Sequence, residues 1–305
     1  MAEPSPPLRL GLIAGSGRMP LLLAEAMSRE VRRQGGGLYA VGHVGETDPA
    51  LVARVDGFSW VRLGQFKKIL DYFGRMRVDQ AVLAGGITKS AIWRVRPDIL
   101  ALRMAGRLRH LNDDALLRGV AALLAERGIR VRAVTDFVPE LLVPQGVLGR
   151  LRPSPFQWEE ARFAWGVAKE IGRLDIGQGV VVRQRVVVAV EAMEGTDAML
   201  ERAGILVSGR QGRGEAVFVK VAKPFQDRRL DLPTIGPETI RVLARSGIPF
   251  MAVEAGSAMM IDPAALLGLA DREGIVVIGC RQEDWDAGRG AEVLWERGES
   301  GHEGV

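Results

Sequence analysis

The 305-residue chain contains one cysteine, Cys280. That excludes a disulfide framework and a cysteine cluster for metal. Histidine is nearly as scarce: with His43, His110 and His302 alone, a His-rich dinuclear metal centre cannot be built. Any metal must then rest on oxygen ligands, which favours Mg²⁺ or Mn²⁺. No apolar run reaches the ~18 residues that would span a membrane. The opening Met1-Ala-Glu-Pro-Ser-Pro-Pro7 does not read as a signal peptide. These absences describe a cytoplasmic protein, with contact at a membrane surface left open.

Several motifs are also absent. No Walker A sequence occurs, which argues against a P-loop kinase. Gly15-Ser16-Gly17 is not a dinucleotide fingerprint, because Pro20 stands where the third glycine belongs, and this disfavours a nucleotide-dependent oxidoreductase. Neither Ser16 nor Ser257 has the context of a nucleophile elbow. Arginines are spread over 94–109 and 150–162 without a nucleic-acid motif, so no nucleic-acid partner is expected.

Apolar residues make up 47% and charged residues 26%, the balance of a globular protein, and the length suits two domains. The net charge of +4 hides an asymmetry: from Gln282 onward the chain carries a net of −5, which leaves a body near +9. A basic body suits an anionic partner such as a phosphorylated metabolite or phospholipid headgroups.

The hydrophobic pattern predicts strands at 8–14, 37–44, 80–84 and 129–135, alternating with helices at 19–33, 66–77, 97–109 and 113–127. This βα alternation implies a doubly wound, mostly parallel sheet. Residues 139–156, with four prolines, break it and read as an inter-domain linker or wall. Beyond them the pattern predicts a helix at 157–173, a hairpin at 180–190 with Arg183-Gln184-Arg185 at its tip, and a helix from Thr196. A strand at 215–222, a helix at 237–245, a strand at 250–253, a helix at 263–272 and a strand at 275–279 follow. The domain reading is therefore 1–138, a linker at 139–156, a second α/β domain at 157–281 and an acidic mobile tail at 282–305.

The stretch 220–236 concentrates the chemistry. Lys220, Lys223, Arg228 and Arg229 surround Asp227 and Asp231, with Pro224, Pro233 and Gly236 fixing the backbone path. Carboxylates suit Mg²⁺, while lysine and arginine suit phosphate oxygens; a solvated loop after a strand is the competing reading. Gly15-Ser16-Gly17 and Gly85-Gly86-Ile87-Thr88-Lys89 each follow a strand of one sheet, where backbone N–H groups can meet a phosphate. Tight strand–helix turns would also account for them. Asn112-Asp113-Asp114 could ligate a metal or a ribose, but helix capping accounts for all three residues. Thr135-Asp136 is either a site pair or a turn. Glu191, Glu194 and Asp197 would bring three carboxylates near one point, and Glu194-Gly195-Thr196-Asp197 also reads as a turn with a cap.

Taken in order, Gly15-Ser16-Gly17-Arg-Met-Pro20, Gly85-Gly86-Ile-Thr-Lys89, Asn112-Asp113-Asp114, Gly177-Gln178-Gly179, Glu191-Ala-Met-Glu194-Gly195-Thr196-Asp197 and Lys223-Pro224-Phe225-Gln226-Asp227-Arg228-Arg-Leu-Asp231-Leu-Pro233-Thr234-Ile-Gly236 resemble one family. It is the UDP-2,3-diacylglucosamine pyrophosphatase family of the LpxI type, and the likeness spans roughly 8–281. Phe225 stands where that family commonly has glycine, and Gly179 where serine is frequent.

The resemblance implies a Rossmann-like N-terminal domain, a Pro-rich linker and a separate α/β C-terminal domain, with substrate held between them. It implies Mg²⁺-dependent hydrolysis of UDP-2,3-diacylglucosamine to 2,3-diacylglucosamine 1-phosphate (lipid X) and UMP in lipid A synthesis, with Mn²⁺ as an alternative ion. Asp227 matches the family's essential aspartate. The metal is expected on Asp227, Glu194 and Asp197, and Lys223 and Arg228 are expected on phosphoryl oxygens. Gly15, Ser16, Gly17, Gly85 and Gly86 are expected substrate contacts on the N-terminal side. Gln178, Thr196, Gln226 and Thr234 are their counterparts on the C-terminal side. Peripheral contact with the inner membrane through the lipid substrate and a homo-oligomeric state are left open. A non-catalytic sugar-nucleotide or lipid-binding protein is the alternative, disfavoured because a carrier of anions would avoid clustered carboxylates.

Overall fold

A computed structural model describes residues 7–88, 95–107, 113–208 and 215–286. The chain divides into two compact units. The first holds the described residues up to Glu140 together with Asp227–Asp231, and the second holds the described residues of Leu141–Gln226 and those from Leu232 onward.

The first unit is built on five parallel strands in the order β3-β2-β1-β4-β5. They are β1 (Arg9–Ala14), β2 (Gly37–His43), β3 (Gly57–Val61), β4 (Gln80–Ala84) and β5 (Arg130–Val131). Strand β3 escapes the sequence reading because Gly57-Phe-Ser-Trp-Val61 is short and half-exposed. Strand β5 is shorter than the predicted 129–135, since Val134–Asp136 turns into a 3-10 helix. Side chains alternate across a strand. Ile13, Val41, Ala81 and Leu83 face a core filled by Leu70 and Phe73 of α2 (Phe66–Arg75), Met104 of α3 (Ile99–Arg107) and Leu123 and Leu124 of α4 (Asp113–Ala125). Helix α1 (Met19–Arg33) packs against β1, β2 and β4. Its Leu23, Ala24 and Met27 are fully buried.

The second unit holds six strands in the order β6-β13-β11-β9-β7-β8. At its centre β9 (Val217–Lys220), β11 (Phe250–Glu254) and β13 (Val276–Cys280) are parallel. On one side β7 (Gly179–Arg183) and β8 (Val186–Val190) form the predicted hairpin, antiparallel to each other and to β9. Gln184 and Arg185 at its tip both have positive φ, the backbone of a type I′ turn. On the far side β6 (Gly146–Val147) pairs antiparallel with β13. A separate parallel pair joins β10 (Thr234–Ile235) to β12 (Met259–Met260).

Strands β7, β9, β11 and β13 are buried on both faces, which is why they read as continuous apolar runs. Val181, Phe218, Met251, Val253 and Val277 meet α6 (Thr196–Ser208), α7 (Pro237–Arg245) and α8 (Pro263–Glu273). Their neighbours Val180, Val182, Val217, Val219, Phe250, Ala252 and Ile278 meet α5 (Pro155–Arg173). Ser154 and Gln157 close a capping box at the start of α5.

Two sequence readings change. The 139–156 segment is not a free linker: Val143 is buried in the second core, and Gly146–Val147 is a sheet edge. The acidic segment expected to be mobile from Gln282 begins with a helix, α9 (Gln282–Asp286), whose Trp285 stacks on Trp158 with ring centroids 4.5 Å apart. The apolar pull of a buried indole outweighs the acidic composition around it. Among the described residues, no helix is long and apolar enough to cross a membrane.

Candidate active site

In the first unit, β1 and β4 lie side by side and their glycine turns lock together. Gly15 N–H donates to the Ala84 carbonyl at 2.8 Å, and Ser16 N–H to the Gly86 carbonyl at 2.7 Å. Gly86 N–H returns a bond to the Ser16 carbonyl at 3.3 Å, and Ser16 Oγ also donates to Gly86 O at 2.9 Å. A Cβ on Gly15 would run into the Gly86 carbonyl oxygen. Gly85 has φ +87°, and a Cβ there would sit 2.5 Å from the Ser16 carbonyl oxygen. Gly15, Ser16, Gly85 and Gly86 are thus brought together as expected, but the backbone N–H groups of Gly15, Ser16 and Gly86 bond the facing turn. Close backbone approach accounts for glycine at positions 15 and 85. Gly17, with φ +88°, has open space around it. Thr88 is clamped by Glu46, with backbone N–H and Oγ1 each 2.8 Å from a carboxylate oxygen. Lys89 and Asn112 lie outside the described residues, as do His110 and His302. Asp136 accepts from Arg132 Nε at 2.5 Å, so the Thr135-Asp136 pair is part of a surface turn.

Asp227 also groups with this unit. Leu230, three residues on, is buried in the first core, which anchors the loop. Arg229 binds the Asp227 carboxylate in a fork: Nη2 to Oδ2 at 2.7 Å and Nε to Oδ1 at 3.0 Å. The Arg229 backbone N–H adds a bond to Oδ1 at 3.0 Å. This pairing holds the Asp227 carboxyl below the usual carboxylate range, with burial opposing it and the charge of Arg118 helping. Asp227 and Arg229 line an open hollow of about 600 Å³ with Arg118 of α4 and Arg130 of β5. One ionised carboxylate among three guanidinium groups suits an anionic ligand. Arg118 and Arg130 were missed in the sequence. The available signal was Arg118 as a single cation within the apolar helix Asp113–Ala125.

The second unit gathers polar groups at the carboxyl end of its parallel strands, where ligands bind in open α/β sheets. Lys220 ends β9 and Glu254 ends β11; Glu191 follows β8, and Thr196 opens α6. Lys220 Nζ donates to Thr196 Oγ1 at 2.9 Å and to the Thr234 carbonyl at 3.3 Å, and Thr196 Oγ1 donates to Glu191 Oε1 at 2.8 Å. Burial pushes the Asp197 carboxyl up, while the nearby Lys220 pulls it down. Glu254 Oε2 accepts from Lys169 Nζ at 2.5 Å and from the Ala222 N–H at 2.8 Å. Gln178 sits beside this edge, with its carbonyl accepting from Val221 N–H at 2.9 Å.

Other candidates are used differently. Glu194 is bonded by Arg202 at 2.6 Å, which lowers its carboxyl pKa. Lys223 Nζ is paired with Asp175 at 2.7 Å. Gln226 Oε1 accepts from the Lys223 N–H at 3.4 Å, so it shapes the loop. Arg228 is exposed. Phe225 is 72% exposed.

Among the described residues no three His, Cys, Asp or Glu side chains converge as a metal donor set. Of the expected trio, Asp227 groups with the first unit and Glu194 and Asp197 with the second.

The sequence model of the LpxI N-terminal domain matches residues 9–141, and that of the LpxI C-terminal domain matches residues 144–278. The chain is 37% identical over 278 residues to UDP-2,3-diacylglucosamine pyrophosphatase LpxI of Caulobacter vibrioides, covering 89% of this chain and 97% of the relative. Solved structures match more weakly. The Bordetella bronchiseptica enzyme WbmG in complex with NAD is 14% identical, with TM-score 0.31, over 100% of this chain and 82% of its own. A biotin carboxylase domain of a single-chain bacterial carboxylase is also 14% identical, with TM-score 0.27, over 61% of this chain and 32% of its own. Scores this low carry no argument about fold or chemistry. The two domain matches and the full-length relative do, and the chain belongs to the LpxI family.

Proposed function

We propose that this chain is a UDP-2,3-diacylglucosamine pyrophosphatase, releasing 2,3-diacylglucosamine 1-phosphate and UMP in lipid A biosynthesis. The observation that carries the reading is the placement of Asp227, ionised and forked by Arg229 in a hollow it shares with Arg118 and Arg130. The substrate carries its charge on a pyrophosphate, and transfer of a phosphoryl group depends on neutralising that charge and aligning the nucleophile.

In the proposed reaction water attacks the sugar-side phosphorus. A new P–O bond forms there, the bridging P–O bond breaks, and the bridging oxygen leaves with UMP. The Asp227 carboxylate is the group that orients the attacking water. Arg118, Arg130 and Arg229 supply positive charge around it. Mg²⁺, or Mn²⁺, when bound, neutralises pyrophosphate charge. Asp227 would hold the ion as its protein carboxylate, the donor type that Mg²⁺ takes. Asp227, like any aspartate not raised by burial, is ionised at neutral pH, and its pairing with Arg229 lowers its pKa further. A Rossmann-like origin for the first unit is supported by its all-parallel sheet in the 3-2-1-4-5 order. A lipid substrate also favours peripheral contact with a membrane surface.

The test measures UMP release from UDP-2,3-diacylglucosamine with and without Mg²⁺ or Mn²⁺. The unaltered chain is expected to turn over with metal, and Asp227→Ala to lose at least about a hundredfold, the scale of one electrostatic catalytic group. Near-normal turnover by Asp227→Ala would sink the assignment. Tight substrate binding with no UMP release by the unaltered chain would favour a binding protein instead.

A further inference from the structure

The buried polar chain at the carboxyl edge of the second sheet has valences that the fold leaves unfilled. Lys220 is 5% exposed. An ammonium has three N–H donors, and among the described residues two are used, by Thr196 Oγ1 and the Thr234 carbonyl. Thr196 has one hydroxyl proton and gives it to Glu191 Oε1, so it can only accept from Lys220. The direction Lys220 to Thr196 to Glu191 is therefore fixed. Glu191 is 7% exposed, and its Oε2 is enclosed with no partner among the described residues. Gly179 lies against that oxygen; a Cβ there would approach Oε2 to 2.7 Å.

Burying an ammonium and a carboxylate is costly unless their hydrogen bonds are completed. A purely structural pair would be expected to close directly on each other, yet these two are separated by a threonine hydroxyl. Thr196 is also the first residue of α6, a 13-residue helix whose N-terminus adds partial positive charge at the same edge. Of the cations in 220–236, Lys223 is neutralised at the surface by Asp175. Arg229 is neutralised by Asp227. Lys220 forms no carboxylate salt bridge among the described residues, though its charge acts on the nearby Asp197 carboxyl.

We propose that Lys220 is the anion-binding residue of the second unit, giving its unfilled N–H to a phosphoryl oxygen of the substrate, with Thr196 and Glu191 as the positioning residues that aim it. This inference rests on the pyrophosphatase reading for the identity of the anion. It reassigns to Lys220 the role first expected of Lys223.

The test uses the full chain, with inorganic pyrophosphate as the probe in titration calorimetry and UMP release as a separate readout. Far-UV circular dichroism checks folding. Lys220→Met is expected to weaken pyrophosphate binding roughly tenfold to a hundredfold, the range for one charge-assisted hydrogen bond. Thr196→Val, which keeps the shape, is expected to weaken it about tenfold, and Thr196→Ser to restore it to within about threefold. A merely structural threonine would not separate valine from serine in this way. If Lys220→Met does not fold, the Thr196 pair decides. Unchanged binding by folded Lys220→Met overturns the proposal. So does equal behaviour of Thr196→Val and Thr196→Ser, or no pyrophosphate binding by the unaltered chain. Pyrophosphate binding that depends on Lys220, without UMP release by the unaltered chain, keeps the anion site and removes the pyrophosphatase reading.

Discussion

Replacing Trp285 by alanine is expected to destabilise the second unit by about 2 kcal/mol. Trp285 is 4% exposed and lies between two other indoles, with ring centroids 4.5 Å from Trp158 and 5.4 Å from Trp165. Removing a buried tryptophan typically costs about 3–5 kcal/mol, loss of aromatic pairing included. One contribution runs the other way. Trp285 Nε1–H is buried without an acceptor among the described residues, and removing such an orphan recovers about 1–3 kcal/mol. The same reasoning makes Trp285→Phe nearly harmless, within about 1 kcal/mol, since it keeps the stacking and removes the orphan donor. Polar ties hold α9 from the other side. Gln145 Nε2 donates to both Asp284 oxygens at 2.7 and 2.9 Å, and Trp165 Nε1 donates to Gln282 Oε1 at 2.8 Å. Urea unfolding followed by tryptophan fluorescence and circular dichroism gives the comparison. A loss below about 0.5 kcal/mol for Trp285→Ala, or an equal loss for Trp285→Phe and Trp285→Ala, would refute the packing argument.

Other perturbations separate the remaining arguments. Gly15→Ala forces its Cβ onto the Gly86 carbonyl and is expected to cost about 1–3 kcal/mol. Gly86→Ala, whose Cβ meets nothing nearer than Ser16 Oγ at 3.7 Å, should cost under about 0.5 kcal/mol; equal midpoints in thermal unfolding would contradict the interlocked turns. The Asp227 carboxyl is held below its ordinary value by Arg229, so its contribution to stability is complete above pH ~4 and is lost as pH falls further, through its folded pKa. Asp227→Asn should remove that part of the acid dependence, and identical acid-unfolding curves would argue against the pairing. Burial pushes the Cys280 thiol well above its usual range, so maleimide should label it in urea but hardly at all in the native protein. Fast labelling of the native protein would show that the end of β13 opens to solvent.

Much of the architecture is legible because the inner strands of both sheets are buried on two faces. Runs such as Val180-Val-Val182 and Phe250-Met-Ala-Val253 leave little alternative to a covered strand, and the helices between them follow from apolar spacing. What escapes notice is short or half-exposed. Gly57–Val61 has too little apolar character, and Gly146–Val147 is held by a single partner strand near prolines that look like a linker. The candidate site divides in the same way. Its residue types cluster in the sequence, so 220–236 and 191–197 stand out. Their pairings do not, because a lysine at the surface and a lysine under a sheet edge look alike as letters.

By itself the sequence determined the α/β alternation, the restriction to oxygen chemistry through one cysteine and three histidines, and the family through its blocks of glycine, carboxylate and cation. Tertiary structure decided which charge answers which. Burial closes Lys220 onto Thr196 and Thr234 while Lys223, three residues on, meets Asp175 at the surface. The side chain of Leu230 enters the first core, and that grouping sets Asp227 beside Arg118 and Arg130, far from it in sequence. Local spacing fixes periodicity and turn chemistry, but desolvation and charge pairing depend on distances that only the folded chain creates.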